Sequence, residues 1–253
     1  EQFIKFNFAE NKMNIIDSIK TSVITPIHPA GIPFIAIFFV FTIIIGWLWS
    51  PLFFVGLVLT IWCVYFFRNP ERFTPVLSGA NKNNLVISPA DGRVIEVSKI
   101  TPDEELGLAD GNWTRVCVFM NVFDVHVNRS PMSGQITYKN YIPGAFFNAS
   151  MDKASSDNER LILGMDTENG KKIAFVQIAG LVARRIICDV DIGSHLKSGD
   201  IFGIIRFGSR VDIYFPSEAS TKVLVGQKMI AGETIIADFT KSSKPVTRNI
   251  DEK

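Results

Sequence analysis

The sequence predicts a mainly β protein, a β-rich α+β fold in which an apolar helical hairpin precedes one sandwich-like domain. Three observations carry this. No Asp, Glu, Lys or Arg occurs between Lys20 and Arg68, and that gap holds three of the four Trp and eight of the 21 Phe. Beyond about residue 83, short β-rich runs recur between Gly, Pro, Asn and Asp. Near the C-terminus a glycine-turn pattern repeats 33 residues apart, Gly193 matching Gly226.

The hairpin is read first. From Gly31 to Phe67 the chain is almost wholly apolar, and a spanning helix needs roughly 20 such residues. The stretch is too long for one span and slightly short for two. Trp49-Ser50-Pro51 marks a break, because the residue before proline avoids the helical region. Two short helices are expected, about 34–49 and 52–67, which either cross fully or enter one leaflet and return. Trp47, Trp49 and Trp62 suit interfacial positions, and Arg68 and Arg72 belong on the cytoplasmic side. A hairpin then returns residues 1–30 to that side. A cleavable signal peptide fits poorly, since the run is long, starts late and lacks a basic lead-in. Met13 begins a candidate start of its own.

The β domain comes next. Strands are expected within Asn84–Ser88, Gly92–Val97, Thr114–Phe119, Lys172–Ile178, Ala183–Val190, Ile201–Phe207 and Arg210–Phe215. Ala149–Leu163 is the most helical-looking stretch, and its polarity suggests a surface loop or irregular helix. In the repeat, Gly193, Leu196, Gly199 and Asp200 match Gly226, Met229, Gly232 and Glu233. Paired glycines supply positive-φ turns, and the apolar residue between them can plug a core. Such turns are similar to those of lipoyl- and biotinyl-type sandwiches.

Composition bounds the function. The 253 residues give ample core material. With 26 Lys+Arg against 25 Asp+Glu, the formal net charge is +1, which leaves a general nucleic-acid binder without an electrostatic basis. At 47% hydrophobic and 20% charged, the chain is not of the disordered class. The mean hydropathy of +0.22 is high because of the apolar stretch. Cys63, Cys117 and Cys188 lie in apolar runs with no paired spacing, so they read as buried thiols rather than a disulfide framework or zinc site.

Few residues could do chemistry. His28 reads as interfacial and His195 as a solvated turn residue. His126 lies in the strand-like run Asn121–Arg129, where alternation puts Asp124, His126 and Asn128 on one face. It reads as a catalytic group or as part of a plain surface strand, and no ligand spacing points to a metal. Asp91-Gly92 alone is turn chemistry. Gly208-Ser209 is not the hydrolase elbow, because no Gly follows two residues after the serine.

Five stretches change that reading together. They are Ser88–Val94 (SPADGRV), Val122–Arg129 (VFDVHVNR), Tyr141–Arg160, Val176–Arg185 (VQIAGLVARR) and Arg206–Pro216 (RFGSRVDIYFP). In this order the chain resembles the phosphatidylserine decarboxylase family, in its short bacterial and archaeal class with a Gly-Ser-Arg processing site. The resemblance covers nearly all of residues 13–240 and includes the apolar hairpin.

The resemblance implies a proenzyme that cuts itself between Gly208 and Ser209. Ser209 would attack the Gly208 carbonyl, and elimination and hydrolysis would leave a pyruvoyl group at position 209. That group would form a Schiff base with the substrate amine and accept the electrons released with CO2, giving phosphatidylethanolamine. The family's Asp-His-Ser triad maps to Asp91, His126 and Ser209. The longer-chain class has a second His where this chain has Arg129, so His126 would serve twice or share work with Asp124. Arg68, Arg72, Arg129, Arg184 and Arg185 are candidates for the lipid phosphate, and the Asn148–Arg160 loop is a candidate cover.

The organisation that follows is an N-terminal segment 1–30, a membrane-associated hairpin 31–67, a linker 68–82, a catalytic β-rich domain 83–240 and a polar tail 241–253. The implied partners are a membrane phospholipid and the two self-cleaved chains, 1–208 and 209–253, at the inner face of the cell membrane, with a higher oligomer left open. Archaetidylserine is an alternative substrate with the same headgroup chemistry. A membrane-anchored, non-enzymatic adaptor is a rival of another class, which leaves Ser209 and His126 unexplained.

Overall fold

The computed structural model describes residues 25–77, 79, 83–147, 149, 157–180, 185–206 and 209–240. Most of the expected N-terminal segment and the tail 241–253 lie outside them, as do Met13, Arg184 and Gly208.

The apolar stretch forms helices α1 (Ile32–Leu48) and α2 (Ser50–Phe66). The break is narrower than expected: Trp49 alone is extended, and Pro51 sits in the first turn of α2. Proline is tolerated there because that N–H has no intrahelical partner. The helices pack tightly where Thr42 lies against Gly56, and the Thr42 and Thr60 hydroxyls meet at 3.0 Å. Small residues let the backbones approach, and each hydroxyl also donates to its own helix, to the Phe38 and Gly56 carbonyls. Each helix has 17 residues and is about 25 Å long. Most outward side chains are exposed, with Trp47 87% exposed at the turn.

The hairpin's open end is tied off. The His28 N–H donates to the Phe67 carbonyl and the Asn69 N–H to Pro26, at 2.8 and 2.7 Å. His28 is buried, its Nδ1 accepting from the Ala30 N–H. Phe66, Phe67 and Cys63 pack against Val125, Val127 and Ile204 of the β domain.

Among the described residues fourteen strands follow: β1 (Leu85–Ile87), β2 (Gly92–Ile100), β3 (Trp113–Met120), β4 (Val127–Arg129), β5 (Gly134–Ile142), β6 (Arg160–Thr167), β7 (Lys172–Ala179), β8 (Ile186–Cys188), β9 (His195–Leu196), β10 (Ile201–Ile205), β11 (Ser209–Pro216), β12 (Ser220–Thr221), β13 (Lys228–Met229) and β14 (Ile235–Asp238). An eight-stranded antiparallel sheet runs β13-β2-β3-β11-β7-β6-β5-β9. Two three-stranded sheets, β1-β14-β12 and β4-β10-β8, complete the domain. The main core gathers Val118, Met120, Phe175, Val211, Ile213 and Phe215 from the large sheet, with Phe202 and Ile236 from the small ones.

The glycine repeat takes the expected form. Gly193, Gly199, Gly226 and Gly232 all have positive φ, and Leu196 and Met229 between them are buried in the core. His195 is exposed, as expected of a turn-region residue.

Two expectations are corrected. Residues 121–124 form a turn, so the strand near His126 is only Val127–Arg129. Asp124 Oδ2 accepts from the Asn121 N–H and Asn121 Oδ1 from the Phe123 N–H, and such local bonds compete with a strand ladder. Asp124 therefore does not share a strand face with His126 and Asn128. Arg160–Leu163, expected in a loop or irregular helix, opens β6, which pairs on both sides and is buried through most of its length.

Candidate functional site

Ser209 opens β11, the strand flanked by β3 and β7. It pairs with Met120 on one side and Ala179 on the other. Alternation along β11 sends Ser209, Val211, Ile213 and Phe215 inward and Arg210, Asp212 and Tyr214 to the opposite face. Ser209 is 0% exposed, and its hydroxyl lies 3.8 Å from Met120 Sδ. Asn128 Nδ2 reaches the same sulfur at 3.7 Å, and Gln177 Nε2 donates to Asn128 Oδ1 at 2.8 Å. A buried chain of contacts thus runs from Gln177 through Asn128 and Met120 to the serine. Gln177 Oε1 is buried there with no hydrogen-bond partner among the described residues.

His126 is also 0% exposed. Its ring packs on Phe66 at the end of α2, with centroids 4.2 Å apart. Nδ1 lies 3.0 Å from the Asp124 carbonyl. A carbonyl only accepts, so Nδ1 carries the proton and Nε2 is the basic nitrogen. Burial, more than the nearby Arg68, lowers its pKa to about 4 against the pull of the Asp124 carbonyl, which keeps the ring neutral near pH 7. The His126 carbonyl accepts from the Ile205 N–H at 3.3 Å, so the end of β10, four residues before Ser209 in sequence, lies against the histidine's backbone.

Asp91 sits in the turn into β2, 8% exposed. Its carboxylate accepts from Arg72 at 2.9 Å through both oxygens and from the Ala231 N–H at 2.8 Å. Burial is the largest influence on its pKa and raises it, against the opposing pull of Arg72. The next residue, Gly92, has φ 141 and lies against the backbone of Phe119 and Met120, where a Cβ would collide. The turn therefore closes on β3, the strand paired with Ser209.

The linker is stapled over this region. Arg129 Nη2 donates to Asn69 Oδ1 and the Pro70 carbonyl, its Nη1 donates to Gly199, and the Phe73 N–H donates to Glu233. Arg72 is committed to Asp91, and Arg68 donates to the Tyr65 and Phe123 carbonyls while lying over the Tyr65 ring. Three of the five arginines considered for lipid phosphate thus have protein partners. Of the candidate cover, Asn148 and residues 150–156 lie outside the described residues. Asn158 is buried and bonds Phe147 and Ala179.

A cavity of about 460 Å³ opens on the other face of the large sheet, lined by Arg115, Arg160, Leu106 and Tyr214 among others. Its arginines are paired with Glu96 and Glu105, and inward-facing Ser209 does not line it. The sequence reading did not single out Met120 or Gln177. Gln177 left a signal, being a lone polar residue within the apolar run Ile173–Ala179.

Ser209 and a neutral His126 are both fully buried, and His126 packs on the base of the apolar hairpin. The family model for phosphatidylserine decarboxylase matches residues 59–237, well over half of the chain, and the chain belongs to that family. It is a decarboxylase, a carboxy-lyase of phospholipid biosynthesis that acts on phosphatidylserine.

Proposed function

We propose that the protein converts phosphatidylserine to phosphatidylethanolamine and CO2 with a pyruvoyl group made from its own Ser209, after self-cleavage at Gly208-Ser209. The observation that carries this is the position of Ser209, fully buried at the head of a strand held on both sides. A new chain end made there would be fixed by β3 and β7 and shielded from water. A pyruvoyl group there would lie one strand from Gln177, whose Oε1 is a buried acceptor with no partner among the described residues. Such a group supplies a carbonyl that condenses with an amine and takes up the electrons released with CO2.

In self-cleavage the Ser209 hydroxyl attacks the Gly208 carbonyl and its proton passes to His126 Nε2. The peptide bond becomes an ester. A base removes the Cα proton of residue 209 as the ester oxygen leaves, giving a carboxylate on Gly208 and a dehydroalanine at position 209, whose imine form water hydrolyses to the pyruvoyl group and ammonia. Asp91 maps to the acidic member of the triad by its motif, while its carboxylate is held by Arg72 and the Ala231 N–H and His126 Nδ1 by the Asp124 carbonyl. Fragments 1–208 and 209–253 stay together because β11 belongs to the sheet. The hairpin enters the cell membrane, with the β domain on the cytoplasmic side. Its apolar faces, and Arg68 directly after it, support that placement.

Intact mass spectrometry of the wild type and of Ser209→Ala tests this. The wild type is expected as two chains, the smaller lighter by one ammonia than an unmodified Ser209–Lys253 peptide. The variant should stay whole and release no CO2 from phosphatidylserine. A folded, active wild type that remains one unmodified chain would overturn the proposal.

A further inference from the structure

Among the described residues, Arg206 beside this site has no carboxylate partner. Arg206 follows β10 and precedes Ser209 by three residues. Its guanidinium lies over the Phe34 ring, 4.9 Å from the centroid, in the first turn of α1 at the hairpin's base. Its Nε is buried with no hydrogen-bond partner among the described residues. Its backbone N–H reaches the Arg185 carbonyl at 3.4 Å, which sets a second, exposed arginine beside it. No described carboxylate is bonded to either side chain. Two neighbouring like charges without a counter-charge favour an anion between them.

We propose that Arg206, seconded by Arg185, binds the phosphodiester of the lipid headgroup. This rests on the phosphatidylserine reading above. The headgroup carries two anions, and only one suits a fixed cation. An arginine on the carboxylate would stabilise the ground state and oppose loss of CO2, whereas the phosphodiester is unchanged through the reaction. Stacking on Phe34 sets the guanidinium where the hairpin meets the domain. A lipid with acyl chains along the hairpin would present its phosphate there and its serine towards Ser209.

The test compares wild type, Arg206→Gln, Arg206→Lys and Arg185→Gln with dioctanoyl phosphatidylserine. Arg206→Gln is expected to be cut normally and to raise KM roughly 10- to 100-fold, the range of a lost charged hydrogen bond, with kcat within about threefold. Arg206→Lys should recover part of the loss, and Arg185→Gln should show a smaller rise. Because Arg206 adjoins the cleavage site, a second measurement uses uncut Ser209→Ala protein with and without Arg206→Gln. Dioctanoyl phosphatidylglycerol, which has a phosphodiester and no amine, should bind the uncut protein that keeps Arg206 roughly 10- to 100-fold more tightly than the one that lacks it. Dioctanoylglycerol should not distinguish the two, and inorganic phosphate should bind far more weakly than the lipid. An unchanged KM, a loss confined to kcat, equal phosphatidylglycerol binding by the two uncut proteins, or phosphate binding as tight as lipid would each overturn the assignment. A wild type that releases no CO2 from phosphatidylserine would instead overturn the parent reading.

Discussion

His126→Phe is expected to slow self-cleavage by about 10²- to 10⁴-fold, the usual worth of a positioned general base. The readout is the rate at which the 209–253 fragment appears. Phenylalanine is the informative replacement because His126 already packs on Phe66, so an aromatic ring keeps that contact while removing the basic nitrogen together with the Nδ1–H bond to Asp124. The buried ring is neutral and its Nδ1–H is committed to the Asp124 carbonyl, so Nε2 carries the lone pair and can act as a base without first losing a proton. The same burial has a thermodynamic consequence. An unfolded histidine takes up a proton below about pH 6.5, while this one, with its pKa near 4, does so only well below that. The unfolded state therefore binds more protons across that window, and stability should fall as pH drops from about 6.5 to 4, by roughly 3 kcal/mol in all. In His126→Phe that part of the acid sensitivity should vanish. Asp91→Asn separates two roles of the carboxylate. If cleavage slows as in His126→Phe, Asp91 supports the base. If cleavage is kept and only stability falls, Asp91 serves Arg72 and the linker. Cleavage by His126→Phe at the wild-type rate would sink the general-base assignment.

What the sequence disclosed followed from which patterns are local. The hairpin was legible because a charge-free run needs no tertiary context, and Trp49 broke it within two residues of the expected point. The repeat turns were legible because positive φ almost requires glycine, and both buried plugs, Leu196 and Met229, fell where the spacing put them. Strand β6 was obscured because Arg160 and the polar residues before it mimic a helix or loop, while its burial comes from β5 and β7, which are distant in sequence. The turn at 121–124 was hidden inside apparent alternation, since Asn121 and Asp124 fit either a strand face or a local side-chain bond. For the site, Ser209, His126 and Asp91 came from resemblance, because spacing alone left each with an ordinary alternative. The contacts around them were not legible. Met120 meeting Ser209, Asn128 meeting Gln177 and Phe66 flooring His126 depend on strand register and on where the hairpin docks.

The second large effect concerns the residue after the serine. Arg210 and Asp212 lie on the opposite face of β11, 1% and 0% exposed in their side chains, and form a two-pronged pair with Nε–Oδ1 at 2.5 Å and Nη2–Oδ2 at 2.7 Å. Arg210 Nη2 also donates to Cys117 Sγ at 2.9 Å. Removing one partner strands a charge in a dry sheet face, so Arg210→Met and Asp212→Asn should each lower unfolding free energy by about 3–5 kcal/mol. The double variant Arg210→Met/Asp212→Leu should recover most of that loss, because apolar residues of similar size can replace a buried pair. Denaturant unfolding of these variants in the uncut Ser209→Ala background gives the coupling directly. Self-cleavage then decides what the arginine of Gly-Ser-Arg is for. Its side chain points away from Ser209, so the double variant with Ser209 intact should cut at close to the wild-type rate. Restored stability without restored cleavage would instead mean that Arg210 acts on the chemistry through the strand. The opposite-face placement of the pair would then be an incomplete account of it.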